Sequence, residues 1–481
     1  MSSVRRSLSY SLADSYAGVA LQLASTLVIS RLLSPAEIGI YAVAAVFASM
    51  AGTFRDFGVA EYLIQVQHLT ASKIRAAFTV NLMISWSMAA LLFASSGTVA
   101  GFYRQPGISD VMQILAINFL LIPFGAVTIA CFRRELNYRP IFICGLLANV
   151  SGFIVATVGA YLGYGYISLA WSSIAGVAVT VMVSVVMRPT GFPSMPTLKG
   201  LAEVFRFGKH ASGIYLFSQI GKSAPEALIG RVLDMASVAF FSRASGLMEI
   251  FNRTVLRAVF PVCLPYFSKE ARGGQEIRIG YLRATSMLTG IGWPFFFVTG
   301  VLAYSAIRTL YGSQWTPSVP YAQILCLVAT CELPYILATE VMIAHGRIDQ
   351  SHRLQFFVQL IRLASLMLVV PFGLMGACWG LVGSGLLGAV VAHQYLHRII
   401  GLRFADVVRG CASSAAVAAV CGLAALVLVT VVPQTEANYA QILFLALLLI
   451  SLLWLLALHV FSHPLLDEIR ELAIRLMNKA R

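Results

Sequence analysis

Apolar runs of about twenty residues recur along the whole chain, parted by short polar breaks, and each run is long enough to cross a bilayer. The pattern predicts fourteen spans, at residues 11–33, 38–64, 78–100, 110–131, 141–162, 165–187, 210–232, 237–265, 284–307, 320–344, 354–371, 376–398, 411–432 and 440–461. Lipid offers the backbone no hydrogen-bond partners, so runs of this length must be helices. The expected fold class is an all-α polytopic membrane protein. The first span follows Arg5 and Arg6 without a small-residue cleavage site, and reads as a retained anchor.

Charge orients the threading. With the N-terminus inside, cytoplasmic segments collect 24 of the 34 Lys and Arg, and only Arg31, Arg104, Arg231 and Arg308 fall outside. That is the positive-inside signal, and it places both termini in the cytoplasm. Composition agrees: of 481 residues 59% are hydrophobic and 11% charged, with a mean hydropathy of +0.82. A soluble chain of this length needs far more polar surface. The net charge of +14 therefore faces anionic membrane lipids, not nucleic acid. The eight Cys sit mostly within spans and make no metal-ligand spacing with a His, so they read as small apolar filler and no metal is assigned.

The chain repeats at an offset of about 200 residues. Arg31-Leu-Leu-Ser-Pro-Ala-Glu-Ile-Gly-Ile-Tyr aligns with Arg231-Val-Leu-Asp-Met-Ala-Ser-Val-Ala-Phe-Phe, and spans 110–131 and 165–187 align with 320–344 and 376–398. Each copy holds six spans, an even number, so the copies form a parallel repeat about an axis along the membrane normal. The predicted organisation is an N-terminal six-helix lobe with its linker at 1–202, a second six-helix lobe at 203–404, and two further helices with an amphipathic tail at 405–481. Stretches 198–206 and 402–409 read as short basic amphipathic helices on the cytoplasmic face.

Six cations remain inside spans: Arg55, Lys222, Arg243, Arg253, Arg257 and Arg362. Facing lipid, they would cost about 15–20 kcal/mol, more than the ~5–15 kcal/mol of a typical fold. Some must line water or pair with acids. On the eighth span Arg243, Arg253 and Arg257 fall within an arc of about 80° at the 100° per residue of an α-helix, forming one stripe. Glu249 stands one turn before Arg253, and Lys222 one turn before Glu226, so each pair has a neutralising and a functional reading. Pro225 predicts a kink in the seventh span. Arg257 is near enough to the interface to snorkel, leaving Arg253 the deeper candidate. The second span adds Arg55, Asp56 and Glu61. Glu332, beside Pro334, either pairs with Arg362 or serves as a protonatable coupling site. Such a cavity suits a phosphate-bearing anion, because guanidinium groups make paired hydrogen bonds to phosphate oxygens. Gly383-Ser-Gly385-Leu-Leu-Gly388 lies inside a span with no preceding strand and is helix-packing glycine.

Several segments together resemble the polysaccharide-transporter family of oligosaccharide flippases, within the multidrug/oligosaccharidyl-lipid/polysaccharide exporter superfamily. They are Ser30-Arg-Leu-Leu-Ser-Pro-Ala-Glu-Ile-Gly-Ile-Tyr41, Asp56-Phe-Gly-Val-Ala-Glu-Tyr-Leu-Ile-Gln65, Arg133-Arg-Glu-Leu-Asn-Tyr-Arg139, Arg206-Phe-Gly208, Tyr311-Gly-Ser-Gln-Trp-Thr-Pro-Ser-Val-Pro320 and Ala344-His-Gly-Arg347. The resemblance implies two six-helix lobes around a central cavity with two extra helices, in the bacterial inner membrane. It implies an undecaprenyl-diphosphate-linked glycan as substrate, moved by alternating access, and polysaccharide polymerase and export machinery as partners. The diphosphate would fall to Arg55, Lys222, Arg243 and Arg253, with Arg257 beside them. Asp56, Glu226, Glu249, Glu332 and Arg362 would serve coupling or charge pairing. No cofactor is expected beyond coupling to H+, Na+ or membrane potential.

Two rival readings differ in what they need. A multidrug/cation antiporter of the same superfamily wants acidic, aromatic walls, against the excess of Arg here. A membrane glycosyltransferase or polymerase wants carboxylates or Arg on a long outer loop. The longest outer loops, near 101–110 and 308–319, are short and share one acid, Asp110. The expectation is a transporter and not an enzyme.

Overall fold

The computed structural model describes residues 2–55, 58–189, 192–193, 195–272 and 277–471, with side chains throughout these except at 2–9, 11–12 and 207–218. Asp56 and the tail beyond residue 471, including Leu472 and Leu476, lie outside them. The described residues of the apolar runs are mostly helical, and the described residues contain no strand. By length and apolarity, nine helical stretches among the described residues qualify as membrane spans, or ten if one bent pair counts as a single crossing. The chain is a multi-pass membrane protein. One of these stretches, Ile348–Ile400, takes in two of the predicted runs, and the bent pair is Pro106–Leu121 with Pro123–Arg134.

Contacts divide the chain into two units, residues 1–239 and 240–481. The first holds α1 (Ser2–Leu32), α2 (Pro35–Arg55), α3 (Val59–Gln65), α4 (Ala71–Tyr103), α5 (Pro106–Leu121), α6 (Pro123–Arg134), α7 (Tyr138–Tyr161), α8 (Ile167–Val186) and α9 (Leu201–Val232). Helices α7 and α8 pack side by side, with Gly152 and Gly159 of one against Ser172 and Ser168 of the other. Small residues let two backbones approach where lipid supplies no hydrophobic drive. A capping box starts α2: the Ser34 amide and hydroxyl both donate to Glu37, at 2.9 and 2.7 Å. Two hundred residues on, the Ser237 amide and hydroxyl donate to Asp234, at 2.8 and 3.0 Å. The aligned motifs thus do the same job with the acid at opposite ends.

The second unit takes in most of α10 (Met235–Phe251), a π turn at Asn252–Leu256, α11 (Arg257–Arg272), α12 (Ile277–Val301), α13 (Ala303–Tyr311), α14 (Val319–Glu332), α15 (Ala338–Ala344), α16 (Ile348–Val369), α17 (Gly373–Ile400), α18 (Phe404–Val431) and α19 (Tyr439–Val460). Helix α18 lies along α12, and α19 along α18 and α13. The α19 end of this packing is pinned by Arg308, which donates to Glu436 at 2.7 Å with its guanidinium near the rings of Tyr304 and Tyr439. Gly385 and Gly388 of α17 pack against Glu332 and Val358, as helix-packing glycines should.

The broken spans are where the fold departs from plain crossings. Span 38–64 parts between α2 and α3, where Gly58 adopts φ 66°. Span 110–131 bends by 53° between α5 and α6, at Pro123. Span 320–344 breaks at Leu333–Tyr335, around Pro334. Proline leaves a carbonyl of the preceding turn without its donor. Trp293 Nε1 donates to the Thr330 carbonyl at 3.0 Å, four residues before Pro334, and Trp86 Nε1 to the Leu120 carbonyl at 3.4 Å, beside Pro123. In the second unit an indole thus takes over the carbonyl that Pro334 leaves without its donor, whereas the Trp86 contact falls on Leu120, one residue past the corresponding Phe119.

Pro225 lies inside α9, a continuous helix from Leu201 to Val232 that packs against α2 and α4. Two expectations are corrected. The eighth span is not one α-helix. Its five-residue π turn winds with i→i+5 bonds, so each residue turns less than 100° and the single stripe of Arg243, Arg253 and Arg257 is not kept. Finally, most of the stretches 198–206 and 402–409 form the opening turns of α9 and α18, and not separate surface helices.

Candidate functional site

In the first unit, a cavity of about 360 Å³ opens where the two helix breaks face each other. Arg55, the last residue of α2, lines it together with Glu61 of α3, Asn81 of α4, Ile122 at the α5–α6 bend and Arg133 near the end of α6. The Arg55 guanidinium lies 5.8 Å from the Phe119 ring centroid. Asn81 is buried and accepts from Ser85 at 3.2 Å. Glu61 and Arg133 are exposed, which sets the mouth of the cavity at their end. The short helix α3 is held in place by Arg134, which donates to the carbonyls of Leu63 (2.7 Å), Ile64 (3.1 Å) and Gln67 (3.2 Å). Arg188 anchors the facing bend by donating to Thr128 Oγ1 at 3.1 Å and to the Phe124 carbonyl. On α9 of this unit Lys222 is exposed and Glu226 half-buried, and neither lines the cavity.

The second unit treats its guanidinium groups differently. Arg243 lies 5.0 Å from the Trp315 ring centroid and 5.4 Å from that of Tyr311, and its buried Nε has no hydrogen-bond partner. Arg253 donates from Nε to Glu249 at 2.9 Å, one helical turn back, and Asn252 donates to the other oxygen of the same carboxylate at 3.1 Å. About a third of the Arg253 side chain remains accessible, at 31%. Arg257, the first residue of α11, is exposed. Arg362 donates to Glu332 at 2.8 Å, so the pairing reading of these two is the one the geometry realises. Arg55 and Arg133 are thus brought together around one cavity, while in the second unit Arg243 is stacked on rings and Arg253 and Arg362 each meet a carboxylate.

Two features escape sequence reading. Arg133 falls at the end of a span and is counted as a loop residue; the bend at Pro123, inside an otherwise apolar run, is the signal that turns it toward the cavity. Glu340 of α15 has a buried Oε2 without a hydrogen-bond partner, and nothing in its neighbourhood along the chain distinguishes it from the other acids.

Comparisons with known proteins bear on what these features belong to. A family model described as polysaccharide biosynthesis protein matches residues 28–320. The teichuronic acid biosynthesis protein TuaB of Bacillus subtilis is 25% identical over 304 residues, 61% of this chain and 61% of its own length. The match therefore spans less than two thirds of that relative. The succinoglycan biosynthesis transport protein ExoT of Rhizobium meliloti is 26% identical over 382 residues, 72% of this chain and 75% of its own. A solved structure of the lipid II flippase MurJ, in an inward closed conformation, shares the fold with a TM-score of 0.75 at 14% identity, covering 94% of this chain and 98% of that one. The family match takes in more than half of the chain, and the fold is the one that MurJ also has: the protein belongs to the family described as polysaccharide biosynthesis protein.

Proposed function

We propose that this protein translocates an undecaprenyl-diphosphate-linked oligosaccharide from the cytoplasmic to the periplasmic leaflet of the bacterial inner membrane, for O-antigen, capsule or exopolysaccharide assembly. The observation that carries the reading is the retention of accessible guanidinium groups within spans, Arg55 beside a cavity and Arg253 with about a third of its side chain accessible, at 31%, in a member of a polysaccharide biosynthesis family. A purely structural cation in a span is fully paired or snorkels to the interface. A relative named as a succinoglycan transport protein adds support.

In this reading two six-helix lobes, 1–202 and 203–404, rock about a central cavity, with helices of 405–481 flanking the second. The diphosphate head and glycan enter from the cytoplasmic side while the polyprenyl tail stays in lipid. Arg55, Lys222, Arg243, Arg253 and Arg257 supply the positive field. Binding must be moderate so that the anion is released, and H+, Na+ or membrane potential biases the cycle. Both termini are cytoplasmic, and polymerase and export machinery take the product.

The test is genetic and chemical together. Deletion of the gene should cause a lipid-linked glycan to accumulate on the cytoplasmic leaflet and export to cease. An Arg253→Ala variant at matched protein level should export far less than the parent. Export unaffected by deletion overturns the reading.

A further inference from the structure

The chain leaves α19 through a strained turn. Ser462 sits at φ 47°, in the left-handed region that a Cβ disfavours, and the His463 amide donates back to the Leu458 carbonyl at 2.9 Å. His463 itself is only 1% exposed. Its ring fills a notch that α12 leaves at Gly290, where a Cβ would stand 2.5 Å from Cε1 and 2.7 Å from Nε2. Trp454 of α19 donates to the Gly290 carbonyl at 2.9 Å and ties α19 to α12 beside the notch. Beyond the ring, the helical stretch 464–471 lays Leu465, Leu466 and Ile469 against the apolar core that α18 and α19 share. An apolar side chain would fill such a notch without burying any polar atom, so the imidazole is explained by its hydrogen bonds or not at all.

Those hydrogen bonds leave no place for a second proton. The Leu465 amide donates to Nδ1 at 3.1 Å, so the neutral ring carries its hydrogen on Nε2 and donates it to Ser414 Oγ of α18 at 2.9 Å. Ser414 in turn donates to the Ser286 carbonyl of α12 at 3.0 Å. A second proton would have to sit on Nδ1, donor against donor, and would put a full charge among buried hydroxyls. The titratable and charged side chains nearby give no relief. Arg283 of α12 is paired with Glu468 at 3.1 Å, and Arg470 stands 3.4 Å from Nδ1 of His459 on α19. Asp467 is exposed, and Cys411 of α18 is a buried thiol. Among the described residues the ring has no acid as a partner. We propose that His463 is a proton-operated latch: neutral, it locks stretch 464–471 onto α12 and α18, and protonated, it lets the strained turn open and the stretch come away. Burial holds the docked ring's pKa below the ordinary value of about 6.5. Docking is therefore complete above that pH and weakens as the pH falls toward the docked value. The latch does not rest on the transport reading, and its opening is local, distinct from unfolding of the chain.

Hydrogen–deuterium exchange on the full-length protein in phosphatidylcholine nanodiscs reads the latch, once corrected for the intrinsic pH dependence of amide exchange. Below about pH 6.5, protection of amides 465–471 should fall by up to about ten-fold per pH unit while α7 and α8 keep theirs. His463→Gln, which retains a donor for Ser414 but cannot titrate, should hold the stretch with a flat profile. Ser414→Ala should lower protection at every pH and keep the slope, because the conflict at Nδ1 remains. Gly290→Ala should free the stretch at every pH, and unchanged protection of α7 and α8 shows that the fold persists. A parent profile without a slope overturns the latch. An equal slope in His463→Gln overturns it too, since the titration then belongs to His459 or to the Arg283–Glu468 pair. So does a slope shared equally by α7 and α8, which is unfolding of the whole chain and not release of one stretch.

Discussion

Arg362 of α16 reaches across to α14 and donates to Glu332 at 2.8 Å, over the bare face that Gly385 of α17 leaves beside the carboxylate. The pair solves two problems at once, since neither charge then meets lipid alone. Removing one partner strands the other, a larger loss than the pair's net worth. Glu332 is still 37% accessible and part of the stranded charge is hydrated, so Glu332→Ala should cost only about 1 kcal/mol. Thermal unfolding in detergent measures it, and Glu332→Ala with Arg362→Met should recover most of the loss. Because the carboxylate is occupied by Arg362, Glu332→Gln should leave the pH profile of export unmoved. A shifted profile would return Glu332 to the coupling role.

Helix α3 is too short to be stable alone and depends on its two ends. Gly58 supplies the left-handed entry at φ 66°, and Arg134 collects three carbonyls at and just past the other end. A side chain at 58 meets the left-handed penalty, about 1–2 kcal/mol for most residues and less for Asn. Gly58→Ala should therefore unfold at lower temperature than Gly58→Asn, with the parent highest. Arg134→Ala should release the same helix from its far end. Because either change alone releases the same short helix, the double variant should lose less than the sum of the singles.

The spans were legible because a run of twenty apolar residues has few other uses, and the Arg excess on alternate loops orients them. The breaks were not. Gly58 and Pro123 lie inside apolar runs and leave mean hydropathy untouched, so nothing in a window of eighteen residues registers them. The π turn carries no proline at all. Pairing of Glu332 with Arg362 was readable from lone opposite charges in neighbouring spans, whereas the grouping of Arg55 with Arg133 depends on a bend. Roles of side chains at a break follow from the direction the chain takes after it.

His463 follows α19 and is buried against α12 and α18, with its Nε2 2.9 Å from Ser414 Oγ and 3.5 Å from Ser286 Oγ. The Leu465 amide donates to Nδ1 at 3.1 Å, so that nitrogen has to be an acceptor and the ring neutral. Burial lowers the pKa of the imidazole below its ordinary value of about 6.5. Below that pH the unfolded chain binds a proton that the folded one refuses, so stability rises with pH there. Stability should be whole above about pH 6.5 and fall as the pH drops toward the folded value. Unfolding temperatures across that range measure the fall. His463→Asn should lower stability overall but flatten its pH dependence, and an equally steep profile in that variant would assign the effect to other groups.

Arg243 and Trp315 give the sharpest contrast with Arg253. Trp315 is fully buried, its ring meets Phe240 edge-on at 6.0 Å, and the Arg243 guanidinium lies 5.0 Å from its centroid. A planar, weakly hydrated cation is suited to that position, and an ammonium is not. Arg243→Lys keeps the charge yet should lose about 0.5–2 kcal/mol of stability, the range for a partly desolvated cation–π contact. Trp315→Leu removes the same contact from the other side. In a double-mutant cycle the two changes should couple by about 0.5–1 kcal/mol, because each abolishes what the other would. Arg253 donates to Glu249 from a π turn, a contact an ammonium can also make, so Arg253→Lys should keep most of the stability and be judged by export alone. Additive losses in the Arg243–Trp315 cycle, together with export lost in Arg243→Lys at parental stability, would mean that the guanidinium serves the transported anion and not the aromatic wall.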